Sequence, residues 1–433
     1  MDDWEKFITG SEVINLPKIT NTTKLWFDLG LNGIGSLADH MGIPVQQMST
    51  TGAATLSVSA LPFRAYQKIW KDYYRDQNLD GDIDIDMGSI DRDCYTATAL
   101  LTLRKRNLEK DYFTSALPTP QFGNPVSLPL GGTIPVTGVL NTNITGTSPN
   151  KREAAFMYDG KFGAQDNGTQ ATVTSGLSAD LSLATATSVS DLRRAYALQR
   201  YQELLMRGGR RLKEWTLNIF GVNVPDERIQ RTEYLGGGKL GLQISEVIQT
   251  VGDDESQNPL GGMAGHGVAG GNVTGFNRYF SEHGYIIGIM SILPRTGYFQ
   301  GVPKNLLKFD KFDYYTPPFA HIGEQAIQNQ ELYLSNSNTT GWNTNTFGYT
   351  PRYAEYRDNH DTISGDFRVS LRHWHLAKQF NTAPGLNATF IKVDPDSFDR
   401  VFAVQGDEYD KFLVQTYLKI TAFRPVSKFG NPI

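Results

Sequence analysis

The run Phe412-Leu413-Val414-Gln415-Thr416-Tyr417-Leu418-Lys419-Ile420-Thr421-Ala422-Phe423 sets Phe412, Val414, Leu418, Ile420 and Ala422 on one parity, with Gln415, Lys419 and Thr421 on the other. A period of two places alternate side chains on opposite faces of a strand. Residues 366–372 alternate in the same way, as do Leu56 and Val58 with Ser57 and Ser59, and Leu242, Ile244 and Ile248 with Gln243, Ser245 and Gln249. The stretch 285–293 is apolar on both parities and reads as a central, doubly covered strand. Residues 23–29 and 389–393 are further candidates. No helical segment follows each strand, which argues against a parallel βαβ sheet and for an antiparallel sandwich or barrel with large excursions.

Two helices interrupt this pattern. Residues 62–74 start on a proline, suited to a first helical turn, and set Phe63, Tyr66, Ile69, Trp70 and Tyr73 on one stripe. Residues 190–207 begin beside Ser188 and Asp191, which can cap the start, and end at Gly208-Gly209. Between them, residues 118–190 are rich in Gly, Pro, Ser, Thr and Asn and read as a long surface insertion. Residues 261–271 (GGMAGHGVAGG) and 336–345 read as further loops.

Composition narrows the function classes. The 433 residues carry 45 acids and 41 bases, a net charge of −4, so any contact with nucleic acid has to come from localised basic groups. Aromatics at 11% supply ample surface to bury, which excludes intrinsic disorder. A single cysteine, Cys94, excludes an internal disulfide framework and fits a protein maturing in a reducing cytosol. Met1-Asp2-Asp3-Trp4-Glu5 is acidic, so no secretory signal is expected, and 285–293 is too short to cross a bilayer.

Asp80-Gly81-Asp82-Ile83-Asp84-Ile85-Asp86 resembles a calcium loop, but counting from Asp82 the sixth residue is Met87 and the twelfth Asp93, so the EF-hand pattern fails. Two readings stay open: a different calcium site at Asp82, Asp84 and Asp86, and a solvated acidic face opposite Ile83 and Ile85. His373-Trp374-His375 has the His-x-His form of a cupin metal site. Lys378 and Gln379 stand where its glutamate belongs, so histidines satisfied by hydrogen bonds are the better reading. Leu235-Gly236-Gly237-Gly238-Lys239 lacks the Ser or Thr of a Walker loop and reads as a turn. No Gly-x-Ser-x-Gly elbow occurs, and the chain is not expected to be an enzyme.

The strongest charge run, 191–213, holds Arg193, Arg194, Arg200, Arg207, Arg210, Arg211 and Lys213 against Asp191 and Glu203. Arg104-Lys105-Arg106 adds a second basic knot. Arginine binds phosphate bidentately, so one reading is a surface facing nucleic acid, sequence-independent and salt-sensitive. The other is a set of salt bridges between subunits to acids such as Glu227 and Glu233.

Five stretches carry a resemblance. Leu61-Pro62-Phe63-Arg64-Ala65-Tyr66, Ile69-Trp70 and Tyr74-Arg75-Asp76-Gln77-Asn78-Leu79 match the pattern LPxRAYxxIxxxxYRDQNL. Asp111 to Pro118 with Pro120-Gln121 is similar to DYFTSALPxPQ. Leu192-Arg193-Arg194-Ala195, Arg207-Gly208-Gly209 and Phe220-Gly221-Val222 follow LRxA…RGG…FGV. Gln230 to Gly238 is similar to QRPEYLGG, with Thr232 at the usual proline. Phe347-Gly348-Tyr349 and Arg352 to Arg357 follow FGYxERYAEYR, with Pro351 where an acidic residue is common. Together, in this order, they resemble the major capsid proteins of the Microviridae, small single-stranded DNA bacteriophages, and most closely the gokushovirus-like branch.

The resemblance implies a mainly β, eight-stranded viral jelly roll within a single capsid domain over 1–433. Its strands would be dispersed through 20–117 and 186–433, with 118–185 as a variable surface insertion. It implies a homo-oligomeric T=1 icosahedral shell around circular single-stranded DNA, present in the virion and assembled in the host cytoplasm. Implied partners are a small basic DNA-binding protein, a DNA pilot protein, an internal scaffolding protein and a host surface receptor. Arg104, Lys105, Arg106, Arg193, Arg194, Arg207, Arg210 and Arg211 become candidates to face DNA. Aromatics and arginine are enriched at interfaces, which makes Tyr66, Trp70, Tyr73, Tyr74, Tyr353, Tyr356 and Arg357 candidate subunit contacts. A virion-attached or secreted β-sandwich that binds glycans is the alternative. No cofactor other than possible calcium is expected.

Overall fold

The computed structural model describes residues 16–20, 34–43, 56–86, 88, 91–94, 96–126, 154–156, 162–166, 169–171, 189–248, 263–336, 341–358, 361–402 and 410–424. The expected strand at 23–29 and most of the 118–185 insertion lie outside them. The chain divides into two compact units, Met1–Pro120 with Arg210–Ile433, and Gln121–Gly209.

In the first unit, β1 (Lys18–Thr20) pairs antiparallel with β2 (Ser57–Ser59) and parallel with β3 (Arg92–Asp93). The helix Leu61–Ile69 follows β2 directly, with Pro62 in its first turn, and continues as a π-turn over Trp70–Tyr74. Its apolar stripe buries Phe63, Tyr66 and Trp70. Phe63 and Tyr66 join Ile19, Leu37, Cys94, Leu100 and Leu101 in one core. Four-residue helices at Leu37–His40 and Thr98–Leu101 close it.

A second core lies around the hairpin of β9 (Glu324–Gln328) and β10 (Thr346–Pro351). Phe113, fully buried, meets Tyr112, Tyr298 and Phe347 edge-on at 5.1, 4.7 and 6.3 Å, the geometry that aromatic quadrupoles favour. The buried hydroxyls find partners: Tyr112 donates to Glu331 at 3.0 Å and Tyr298 to Asp111 at 2.7 Å. Burial first, then the neighbouring carboxylate, pushes both phenols well above the usual tyrosine range.

A third element is the hairpin of β7 (Gln243–Ile248) and β8 (Met263–Val268), which runs Gln243 opposite Val268. The stretch 261–271, expected as a loop, instead supplies β8 over Met263–Val268. A Cβ on Gly267 would lie 3.2 Å from the Leu242 side chain, a tight contact that the half-exposed leucine would have to ease. The same register carries on past the ladder, where Gly238 sits against Val273 and Gly236 against the Gly275 carbonyl.

The second unit holds the meander β4 (Ala154–Phe156), β5 (Phe162–Asp166) and β6 (Thr169–Ala171), and the long helix Val189–Gly208.

Several expected strands differ. Residues 366–372 turn through a 3-10 segment, Gly365–Arg368, closed by Arg368 Nε donating to the Ile363 carbonyl and Arg372 Nε to that of Arg368. Residues 389–393 enter the helix Ala388–Ile391, capped by Asn387 Oδ1 accepting from Phe390 N at 2.8 Å, which buries Phe390 and Ile391 together. Residues 285–293 and 410–424 join no sheet, and Leu413 and Phe423 are each 96% exposed. Sheets and helices are both present, and no sheet among the described residues exceeds three strands.

Candidate assembly and nucleic-acid surfaces

The predicted basic residues fall into two sets. Arg104 is spent inside the first unit. Gln67, 1% exposed, donates to the Leu100 and Thr102 carbonyls, both at 2.9 Å, and accepts from Arg104 Nε at 2.8 Å. The guanidinium lies 5.3 Å over the Trp70 ring and also donates to the Ala99 carbonyl. Burial lowers the Arg104 pKa and raises that of Tyr66. Arg106 donates to Ser291 Oγ at 2.7 Å and stacks 5.5 Å over Tyr74. Arg210 donates to the Gln77 carbonyl at 2.7 Å. Arg211, its pKa lowered by burial, donates to the Lys71 carbonyl at 2.6 Å and lies 3.5 Å from Glu214. These four arginines are engaged within the first unit, Arg210 while remaining exposed, and only Lys105 of the 104–106 knot is exposed.

The other set sits on the helix Val189–Gly208 of the second unit. Arg193, Arg194, Arg200 and Arg207 are all exposed. Among the described residues, Arg193, Arg194 and Arg200 pair with no acid. Positions 193, 200 and 207 recur every seven residues, so they form one row with steps of about 10.5 Å. Tyr196, 71% exposed, falls within that stripe. The acids proposed to pair between subunits are engaged within the first unit: Arg278 reaches Glu227 at 2.8 Å and Glu233 at 2.5 Å.

Three candidate contact residues, Tyr66, Trp70 and Tyr353, are buried within the chain and support its surface rather than form it. Tyr73, Tyr356 and Arg357 are exposed, and Tyr74 is half-buried. Tyr73 donates to the Thr232 carbonyl at 2.8 Å, and Arg231 stacks 4.6 Å over its ring.

Sequence reading missed a cluster on 304–322, because its rings follow neither the strand nor the helix period. Tyr353, with φ +63°, offers its hydroxyl to the Phe312 and Tyr314 carbonyls at 3.3 and 3.2 Å. Arg352 donates to the Phe312 carbonyl at 3.1 Å, and Tyr315 N donates to Tyr356 Oη at 3.4 Å. Tyr315 meets Tyr353 and Tyr356 edge-on at 5.2 and 6.3 Å. Lys308 lies 3.8 Å over Tyr356 and 3.2 Å from Glu355.

The acidic run does not gather. Asp82 faces Lys71 at 3.2 Å and Arg75 at 3.5 Å. Those bases outweigh a burial penalty and hold its carboxyl below the usual range. Asp86 accepts from Gly88 N and pairs with Arg92 at 2.8 Å, which lowers it too. Asp84 is exposed. Among the described residues, no group of three His, Cys, Asp or Glu is placed to hold a metal. His375 places Nε2 2.8 Å from the Phe367 carbonyl and accepts from Ala377 N on Nδ1, so both ring nitrogens meet backbone, and His373 packs on Trp374.

A family model described as capsid protein (F protein) matches residues 1–433. The chain is 35% identical to capsid protein VP1 of Bdellovibrio phage phiMH2K, over all of this chain and 82% of that protein. It is 33% identical to capsid protein VP1 of Spiroplasma virus 4, over 92% and 76% of the two chains. It is 30% identical to capsid protein VP1 of Chlamydia phage 1, over 100% and 84%.

Proposed function

Because the chain belongs to the phage capsid protein (F protein) family of the Microviridae, as a structural major capsid protein of the virion, we propose that its copies close a T=1 icosahedral shell around circular single-stranded DNA. The match over the whole length carries this reading and leaves the glycan-binding alternative without support. A closed lattice needs no catalytic centre, and each contact can be weak because many close together.

The sandwich of this proposal is a jelly roll whose small sheets are extended by 285–293 and 410–424. Their apolar side chains, exposed in the single chain, support that completion: Tyr417, Leu418 and Ile420 are 78–88% exposed. The arginine row on Val189–Gly208 faces the DNA. Its spacing, and the exposed ring between the charges, suit phosphates and stacked bases alike. With a net charge of −4, most genome neutralisation comes from a separate small basic protein. A DNA pilot protein and an internal scaffolding protein complete assembly. The polar composition of the insertion 118–185 suits contact with a host receptor.

Electron cryo-microscopy of the full chain expressed with its scaffold tests the proposal. Closed particles with T=1 geometry are expected; a protein that stays a single subunit under every packaging condition refutes it. Deleting the tip of 118–185 should spare assembly and reduce adsorption.

A further inference from the structure

We propose that the aromatic platform on 304–322, with the turn at Tyr356, is a contact between two copies of this chain. This rests on the shell reading and names the surface that serves it. Leu306, Phe309, Tyr314, Tyr315, Ile322 and Tyr356 are each 53–86% exposed. At about 200 Å² per large side chain, they leave on the order of 750 Å² open. That open area is close to the ~800 Å² that each partner gives a stable interface.

Three of the cations beside the platform are engaged within the chain. Lys308 is held by Glu355, Lys304 is paired with the buried Glu331 at 3.0 Å, and the Arg352 guanidinium is turned onto the Phe312 carbonyl and stacked 5.0 Å from the Tyr353 ring. Asp310, Lys311 and Arg357 stay exposed among or beside these rings; the exposed side chains between them are apolar, with leucine and isoleucine among the rings, which is the composition of an interface centre ringed by charge. The support beneath is pre-organised. Tyr353 sits at a positive φ that a tyrosine adopts only when its surroundings over-determine it, and its hydroxyl serves two carbonyls of the platform. Rings held in place before contact lose little entropy on binding. A family that builds a shell from identical copies supplies the partner.

Hydroxyl-radical footprinting of the full chain, as dissociated subunits and as closed particles, tests this. Oxidation of Phe309, Tyr314 and Tyr315 should fall several-fold on closure. Equal oxidation in both forms overturns the proposal and leaves the platform to a scaffold or host ligand. If particles never form, the shell reading falls with it, so the two failures are distinguishable. Phe309→Asp, at an 86% exposed position, should leave the thermal midpoint of the subunit unchanged and prevent closure; particles closing at wild-type yield would count against the contact.

Discussion

Thr232 gives two hydrogen bonds to one carboxylate oxygen: its backbone N–H and its hydroxyl reach Asp72 Oδ2 at 3.2 and 3.1 Å. The pair joins residues 160 positions apart and fastens the 230–235 segment to the helix that starts at Leu61. Where the family commonly has proline, this chain has a residue that donates twice. Thr232→Pro should therefore leave Asp72 with Lys68, at 3.1 Å, and cost about 1–3 kcal/mol. Thr232→Val, which keeps the N–H, should cost less. Urea unfolding of the two variants checks the order, and equal losses would count against the double bond.

Gly301 has no room for a side chain. A Cβ there would overlap the Glu331 carbonyl and lie 2.8 Å from that of Leu332. Glu331 anchors Tyr112 and Lys304, so the backbone has little freedom to yield. Gly301→Ala should lose at least ~2 kcal/mol or fail to fold, whereas Gly284→Ala, with nothing within 4 Å, should be near neutral. Thermal denaturation of both variants decides it.

Lys378 carries a pH signature. Burial pushes its ammonium from 10.5 down to about 8, and Nζ donates to the Phe390 carbonyl while lying 4.2 Å from that residue's ring. Between about pH 8 and 10.5 the unfolded chain binds the proton more readily than the folded one. Stability from this group therefore rises with pH across that window, is complete above it, and is absent below pH 8. Lys378→Met should remove the slope, read as thermal midpoint against pH. A parallel wild-type and variant profile would be the contrary result.

Single-stranded DNA binding should divide the arginines as the structure does. Changing Arg193, Arg194 and Arg200 to Ala should weaken binding of every sequence alike. It should lower the slope of log K against log salt by about 2, since each neutralised phosphate contributes roughly 0.7. Arg104→Ala should instead destabilise the fold, because Gln67 and the Ala99 carbonyl lose their partner. Fluorescence anisotropy over a salt series separates the two classes.

Much was legible because it is local. Helices at Leu61–Ile69 and Val189–Gly208 announce themselves through a 3.6-residue stripe, a first-turn proline and flanking glycines, all within a few positions. The strand Gln243–Ile248 shows itself by alternation. The ordered motifs from Leu61 to Arg357 identify the family through residue identity alone. Alternation misled at 366–372, and the candidate strand 389–393 also differs, because side chains capping or crossing the backbone turn both into helical turns.

By itself, then, the sequence determined the family, the two long helices and the pool of basic and aromatic residues from which surfaces are made. Only the tertiary structure decided which of them reach solvent. Arg211 meets a carbonyl 140 positions away, and Tyr353 is buried with its hydroxyl on the Phe312 and Tyr314 carbonyls. Charge and periodicity are properties of neighbours along the chain. Whether a guanidinium is free or a ring exposed depends on partners that chain folding brings from far away.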